Sequence, residues 1–201
     1  MINRSHFKNP ADVHGLEYTS GDQLLNVGCG LRTPEGFWNT DMCAGDGVDQ
    51  VVNLMDIPLP WEDNTWNFIM ASHVLEHIPH HFPGQTVQGD LLFHLINEFI
   101  RILKPEGILE IHTPAGPDAM FVIDHCRFVN SITFRGWDPN YITTSGVSKD
   151  LQRSQPRLKQ ISRYLKRDFH LGPINMWHTR RYLGMELGAV HQEVLIYRVI
   201  K

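Results

Sequence analysis

The chain has 201 residues, of which 42% are apolar, and its formal net charge is −4 at pH 7. This length fits one domain, residues 1–201, with a sizeable buried core. No apolar stretch approaches the ~20 residues of a membrane helix, no secretory signal is visible, and Cys29, Cys43 and Cys126 are typical of reduced thiols, so we expect a cytoplasmic protein without a membrane partner.

Five short apolar segments predict the strands of a mostly parallel sheet. In chain order they are residues 23–27, 38–42, 48–53, 66–71 and 107–113. Between the last two, apolar residues at three- and four-residue steps predict a helix over residues 90–104, which Pro105 stops. Strands that alternate with a helix indicate an α/β fold with a parallel sheet.

The C-terminal third is more basic than the rest of the chain. Residues 149–201 hold 11 Lys and Arg against 4 Asp and Glu, whereas residues 1–148 hold 7 against 18. The sequence predicts a basic helix over 149–167, a strand over 169–174, a helix over 179–187 and a last strand over 193–200. The basic residues suit either a docking surface for an anionic partner or an exposed face that pairs with the acidic body.

Polar residues at the ends of the first three predicted strands suit a bound nucleotide. Gly28 and Gly30 let the backbone approach a ligand closely, and ligands of such sheets bind at the carboxyl ends of the strands. Asp41 ends the second strand and can accept both ribose hydroxyls. Asp56 can accept from an adenine amino group, with Ile57 packed on the ring. Each residue also has an ordinary explanation, as a turn, a solvated acid or a helix cap.

Three sequence blocks carry a family resemblance. They are LLNVGCG at 24–30, DIPLPWEDNTWNFIMASHVLEHI at 56–78 and RILKPEGILEIHTP at 101–114. Over residues 22–115 the chain resembles the class I S-adenosylmethionine-dependent methyltransferases of the methyltransferase type 11 kind. The resemblance implies a Rossmann-like, doubly wound, mostly parallel sheet with an antiparallel last strand. It also implies S-adenosyl-L-methionine as cofactor and S-adenosyl-L-homocysteine as product.

The resemblance also implies which residues bind the cofactor. They are Gly28, Cys29, Gly30, Asp41, Asp56, Ile57, Ser72 and His73. The glycine segment would line the methionine and ribose, Asp41 would bind the ribose, and Asp56 and Ile57 would bind adenine. Ser72 and His73 would lie between cofactor and substrate.

The chain departs from the family pattern in three places. Asn26 stands where the first motif usually has an acidic residue. Seven residues separate Gly30 from Trp38, so we expect a loop instead of the family's full first helix. Glu106 replaces a glycine that is common in the turn after the long helix, a change we expect to be harmless.

On the acceptor side, we predict His73, His125 and Arg127 as catalytic residues. Imidazole titrates near neutral pH, so His73, His77 or His125 could take a proton from the acceptor, as could Asp124. Arg127 could equally pair with an acid and His125 could be a surface residue. The long region 117–180 is the expected acceptor-binding or lid segment. A small molecule or glycan, including an anionic one, is the preferred acceptor by family analogy, and nucleic acid stays open.

Two other functions remain as alternatives. His73, Glu76 and His77 match H-x-x-E-H, a zinc-hydrolase pattern in which two histidines of one helix bind zinc and the glutamate acts as base. His94, His112 or His125 would then supply a third ligand. The other alternative is a non-catalytic nucleotide-binding module. The methyltransferase interpretation itself needs no metal.

Overall fold

The computed structural model describes residues 22–81, 83–84, 87–115, 122–137, 157–167 and 190–201. In these ranges seven strands form one sheet. They are β1 Leu24–Val27, β2 Trp38–Asp41, β3 Gln50–Val51, β4 Trp66–Ser72, β5 Leu103–Pro114, β6 Arg157–Arg167 and β7 Val190–Ile200. Their order across the sheet is β3-β2-β1-β4-β5-β7-β6.

The strand directions confirm the predicted sheet. β1 runs parallel to β2 and β4, and the pairs β2–β3 and β4–β5 are also parallel. β7 is antiparallel to both β5 and β6. The chain runs outward from β1 to β3 and then returns to β4 on the other side of β1. The strand order therefore reverses between β1 and β4, which is where ligands bind in doubly wound sheets.

One α-helix, α1 Leu91–Ile102, covers a face of the sheet in the described part of the chain. Asp90 caps its start, because the carboxylate accepts a hydrogen bond from the Leu92 N–H at 2.9 Å. The predicted apolar stripe is buried at Leu91, Leu92, Leu95, Ile96, Phe99 and Ile102, in one cluster with Leu109, Ile111 and Leu195 of the sheet. Within the described ranges, no helix has the length and apolar content needed to cross a membrane.

The turn from α1 into β5 differs slightly from the prediction. The helix ends at Ile102, two residues early, and β5 begins at Leu103. Glu106 has φ +64°, a left-handed conformation that favours glycine. Because Glu106 is not a glycine, this turn carries some backbone strain.

The predicted basic helix over 149–167 is wrong where it can be compared with the structure. Arg157–Arg167 is the edge strand β6, paired along its length with β7. The register shifts between Gln160 and Ser162, so one extra residue interrupts the two-residue alternation of a strand. This bulge leaves apolar residues at 158, 161 and 165 with helix-like spacing. Residues 149–156 and the elements predicted over 169–174 and 179–187 lie outside the described residues.

A loop connects β1 to β2, as the short spacing predicts, and buried amides hold it. Asn26 Nδ2 donates to the Arg32 carbonyl at 2.8 Å and to Asn39 Oδ1 at 2.9 Å. Asn39 Nδ2 in turn donates to the carbonyls of Pro34 and Phe37. Asn26 therefore uses both of its N–H donors on acceptors, which an aspartate in its place could not do.

We expect Asn26→Asp to destabilise the protein. The new carboxylate would face two acceptors, and Asn39 cannot rotate its amide without losing two donated bonds. The free energy of unfolding should fall by about 2 kcal/mol, the cost of buried polar groups left unmatched, as measured by urea denaturation.

Asn130→Asp is the matched control for this substitution. Asn130 Oδ1 only accepts, from the Ile132 N–H at 2.8 Å and the Thr133 N–H at 3.3 Å, and a carboxylate preserves both bonds. The control should change stability by less than about 0.5 kcal/mol. An equal loss in both variants would contradict the donor role of Asn26.

Candidate functional site

The backbone after β1 makes a sharp turn against the segment after β4. Gly28 has φ +60°, and a Cβ added there would lie 2.4 Å from Cγ2 of Val74. Gly30 has φ +52° and no atom within 4 Å of an added Cβ. Gly28 is therefore required for close packing, whereas Gly30 leaves its backbone open toward solvent.

Asp41, the last residue of β2, is fixed by two backbone donors. Its Oδ2 accepts from the Gly30 N–H at 2.8 Å and its Oδ1 accepts from the Cys43 N–H at 3.0 Å. The residue is partly exposed. Each carboxylate oxygen has a second lone pair, so Asp41 can still accept hydrogen bonds from a ligand.

Cys29 contributes its backbone and not a reactive thiol. Its N–H donates to the Thr40 carbonyl at 2.9 Å, and this bond joins the C-terminal ends of β1 and β2. Burial raises the pKa of the Cys29 thiol, and the charge of Asp41 raises it further. The thiol therefore stays protonated at neutral pH.

The segment after β3 is clamped to α1 by a pair that the sequence analysis missed. Glu98 accepts the Leu59 N–H at 2.8 Å, and Arg101 donates to the carbonyls of Leu59 and Trp61. Hydrogen bonding to Glu98 raises the pKa of Arg101 above its usual range, so the clamp stays charged. An Arg three residues after a Glu in a helix is the sequence signal, although such pairs are more often simple surface ion pairs.

Asp56 and Ile57 stand just before this clamped segment. Asp56 is exposed, and its N–H donates to the Asn53 carbonyl at 3.0 Å. Ile57 is half-buried and packs against the main core. An exposed carboxylate therefore lies next to an apolar side chain that is anchored in the core.

The end of β4 brings a histidine next to a buried acid. Ser72 ends the strand half-buried, and the next residue, His73, has φ +54°. The His73 Nδ1 atom lies 3.3 Å from Glu76 Oε1, and the His73 side chain is 35% exposed. His73 is thus partly accessible to solvent and lies beside a carboxylate that is buried.

The H-x-x-E-H pattern does not form the geometry of a zinc hydrolase. His73 has a left-handed backbone outside any helix, and only Leu75–His77 form a 3-10 turn. The two histidines consequently do not share a helix face. Each has a different acidic neighbour, since the Nδ1 atom of His77 lies 3.6 Å from Asp124 Oδ2.

His125 and Arg127 have different partners although only one residue separates them in the sequence. The ring of His125 contacts that of His77, with centroids 5.0 Å apart, and Asp124 also lies near His77. The side chain of Arg127 is 7% exposed and donates through Nη1 to both carboxylate oxygens of Asp90, at 2.8 and 3.1 Å. Its Nε donates to the Ile78 carbonyl at 2.6 Å. The alternative expected from sequence, an Arg127 paired with an acid, is the observed arrangement.

Asp90 is a second residue that the sequence analysis assigned only to a helix start. It caps α1, binds Arg127, and lies 2.6 Å from the His80 Nδ1 atom. Burial by itself raises the pKa of Asp90, but the hydrogen bonds from Arg127 and His80 outweigh it, and the pKa is lowered. The carboxylate therefore ties the helix start to the segment that carries His125.

Comparison with solved structures identifies the fold. No protein-family model matches the sequence, and no curated protein sequence matches it significantly. A SAM-dependent methyltransferase from Archaeoglobus fulgidus is similar with a TM-score of 0.50 and 16% identity, covering 89% of this chain and 87% of that one. The N-methyltransferase NodS from Bradyrhizobium japonicum, solved with S-adenosyl-L-homocysteine, gives 0.52 and 9%, covering 90% and 79%.

A chain from Haloferax volcanii, solved in a complex with the Trm112 methyltransferase activator, gives a TM-score of 0.52 at 14% identity. The match covers 90% of this chain and 84% of that one. These likenesses show that the chain has the class I S-adenosylmethionine-dependent methyltransferase fold, with the Rossmann-like sheet expected from the sequence blocks.

We expect Arg127→Met to lower the free energy of unfolding and to make it less sensitive to acid pH. A lowered folded-state pKa of Asp90 stabilises the protein above the unfolded value of ~4, and this contribution is lost as pH falls through the folded value. Without Arg127 that contribution shrinks. Urea denaturation at pH 7 should show a free energy of unfolding about 2 kcal/mol lower than that of the wild type. Between about pH 5 and about pH 3 the free energy of unfolding should then fall less for the variant than for the wild type.

Lys159→Met is the control, because it removes an exposed cation. It should change neither the free energy of unfolding at pH 7 nor its fall at acid pH by more than about 0.5 kcal/mol. If Arg127→Met kept the full acid dependence of the wild type, Arg127 would not be what holds the Asp90 carboxyl in its charged form.

Proposed function

We propose that this protein transfers a methyl group from S-adenosyl-L-methionine to an acceptor, leaving S-adenosyl-L-homocysteine. The observation that carries the proposal is the Asp41 carboxylate, held by the Gly30 and Cys43 N–H groups beside the β1–β4 reversal of a methyltransferase fold. An acid fixed at the end of β2 is positioned to accept the hydroxyls of a ribose.

The residues around Asp41 fit this cofactor. Gly30 has open space where a side chain would block a ligand, and Asp56 with Ile57 offers an acceptor and an apolar surface for adenine. Bound S-adenosyl-L-methionine supplies an activated methyl group on a sulfonium. The chain has to hold cofactor and acceptor in line and close together, and orientation of this kind is a large source of rate enhancement.

We assign proton removal from the acceptor to His73. Its ring is partly exposed next to Ser72, and Glu76 Oε1 lies 3.3 Å from its Nδ1 atom. In the tautomer with the proton on Nδ1, beside Glu76, the lone pair on Nε2 is free to accept a proton from the acceptor. Glu76 is then a positioning residue that fixes the tautomer of His73.

His125 and Arg127 take different parts in the same proposal. His125 would contact the acceptor, since it lies on the loop that packs against the turn after β4. Arg127 would act as a positioning residue, because its guanidinium is bound to Asp90 and to the Ile78 carbonyl. The preferred acceptor is a small molecule or glycan, and a cytoplasmic location stays a prediction.

Calorimetric titration with S-adenosyl-L-methionine and S-adenosyl-L-homocysteine tests the cofactor site. We expect micromolar binding by the wild type and at least ~10-fold weaker binding by Asp41→Ala, since hydrogen bonds to a charged group contribute roughly 1.5–3 kcal/mol. Asp46→Ala is the control, because Asp46 is an exposed acid of the next loop, and it should bind as the wild type does. No binding by folded wild-type protein would overturn the proposal.

A screen for S-adenosyl-L-homocysteine release tests the role of His73 once an acceptor is found. His73→Asn suits this test because asparagine tolerates a left-handed backbone. We expect kcat to fall about 100-fold, the usual contribution of a general base, with cofactor affinity little changed. His81→Asn, an exposed neighbour, should retain wild-type kcat. A wild-type kcat for His73→Asn would exclude His73 as the base. If the wild type binds the cofactor but turns over with no acceptor in the screen, a non-catalytic module is favoured.

A further inference from the structure

Glu76 is a buried acid whose carboxylate has no hydrogen-bond donor among the described residues. It is 1% exposed, and neither carboxylate oxygen accepts a hydrogen bond from the described residues. Among the described residues, the basic group paired with it is the His73 Nδ1 atom, at 3.3 Å from Oε1. Burying an unmatched carboxylate is costly, and proteins normally compensate it with a hydrogen-bonded partner or a metal ion.

Two histidine rings stand beside this carboxylate. His77 follows Glu76 in the 3-10 turn, and the His125 ring contacts that of His77. One ligand atom from each of Glu76, His77 and His125 lies within 4.8 Å of the other two. Binding of a common ion at the usual bonding distance of ~2.0–2.2 Å would require the side chains to move so that the three atoms come closer together.

Backbone hydrogen bonds hold the two halves of this cluster together. The Glu76 carbonyl accepts from the N–H groups of Cys126 at 2.8 Å and of Arg127 at 3.3 Å. The loop with His125 is therefore fixed to the turn with His77. The cluster is assembled by contacts that do not involve its own ligand atoms, as a prepared site requires.

The orientation of His77 also suits a ligand. Its Nδ1 atom lies 3.1 Å from the Asp124 carbonyl oxygen and 3.6 Å from Asp124 Oδ2. A proton on Nδ1 donated to Asp124 leaves the lone pair on Nε2. Histidines that bind metals almost always have such a partner on the other ring nitrogen.

We propose that Glu76, His77 and His125 form a binding site for one divalent transition-metal ion of the zinc type. Two imidazoles and a carboxylate are a ligand set that zinc uses in sites that keep a further position open. The site differs from the H-x-x-E-H alternative, because Glu76 is a ligand and His73 is not. It also departs from the expectation that the chain needs no metal, and it does not depend on the proposed methyl transfer.

Zinc titration of tag-free, full-length protein treated first with a chelator tests the site. Calorimetry should show one Zn²⁺ bound per chain with micromolar or tighter affinity. The Tm of the protein should be higher when Zn²⁺ is present. His77→Ala and His125→Ala should each weaken binding by about 100-fold or more, since even changes around a metal ligand cost 10–100-fold. They should also lose the increase in Tm.

His81→Ala is the matched control, as an exposed histidine close in sequence but outside the cluster, and it should bind Zn²⁺ as the wild type does. Both ligand variants change partly exposed side chains, so each should fold, and far-ultraviolet circular dichroism checks this. The proposal is overturned if folded wild-type protein binds no Zn²⁺, or if the two ligand variants bind it as tightly as His81→Ala does.

Discussion

The hydrogen bond between the buried amides of Asn26 and Asn39 holds the centre of the site in place. These residues are register partners on β1 and β2, at the strand ends where the chain has a loop instead of a helix. A helix would satisfy its own backbone groups, whereas a loop needs side chains to do so. Asn26 and Asn39 bind the loop carbonyls, and Gly30 thereby stays within 2.8 Å of Asp41. The asparagine that departs from the family pattern is thus explained by the shortened connection that it stabilises.

The helix α1 connects the two sides of the site through its two ends. At its C-terminal end, Glu98 and Arg101 bind the segment that follows Asp56. At its N-terminal end, Asp90 binds Arg127 and so positions the loop with His125. Because the middle of the helix is buried against the sheet, neither end can move independently. The proposed cofactor and acceptor sides therefore share one rigid support.

The helix and strands with regular apolar spacing were predicted correctly from the sequence. The prediction was wrong where a bulge interrupts that spacing. The stripe of α1 and the strands β1, β4 and β7 were predictable, since each has regular apolar spacing. The edge strand β6 was not, because its bulge at Gln160 mimics helical spacing. The Leu59 and Trp61 carbonyls bound by Arg101 lie 42 and 40 residues from it in sequence, and Asp90 lies 37 residues from Arg127. No local pattern encodes such distant contacts. The resemblance located the strand ends but could not show that Arg127 is bound to Asp90.

The charge of Glu76 links the proposed base to the proposed metal. If His73 is to accept a proton from the acceptor, it has to begin the reaction neutral, and it then offers Glu76 no positive charge. A carboxylate that is 1% exposed would keep an uncompensated charge in that state. A divalent ion held with His77 and His125 would supply the missing charge through the other carboxylate oxygen. The same ion would also keep His73 neutral at the start of the reaction, because a nearby positive charge disfavours a protonated imidazole.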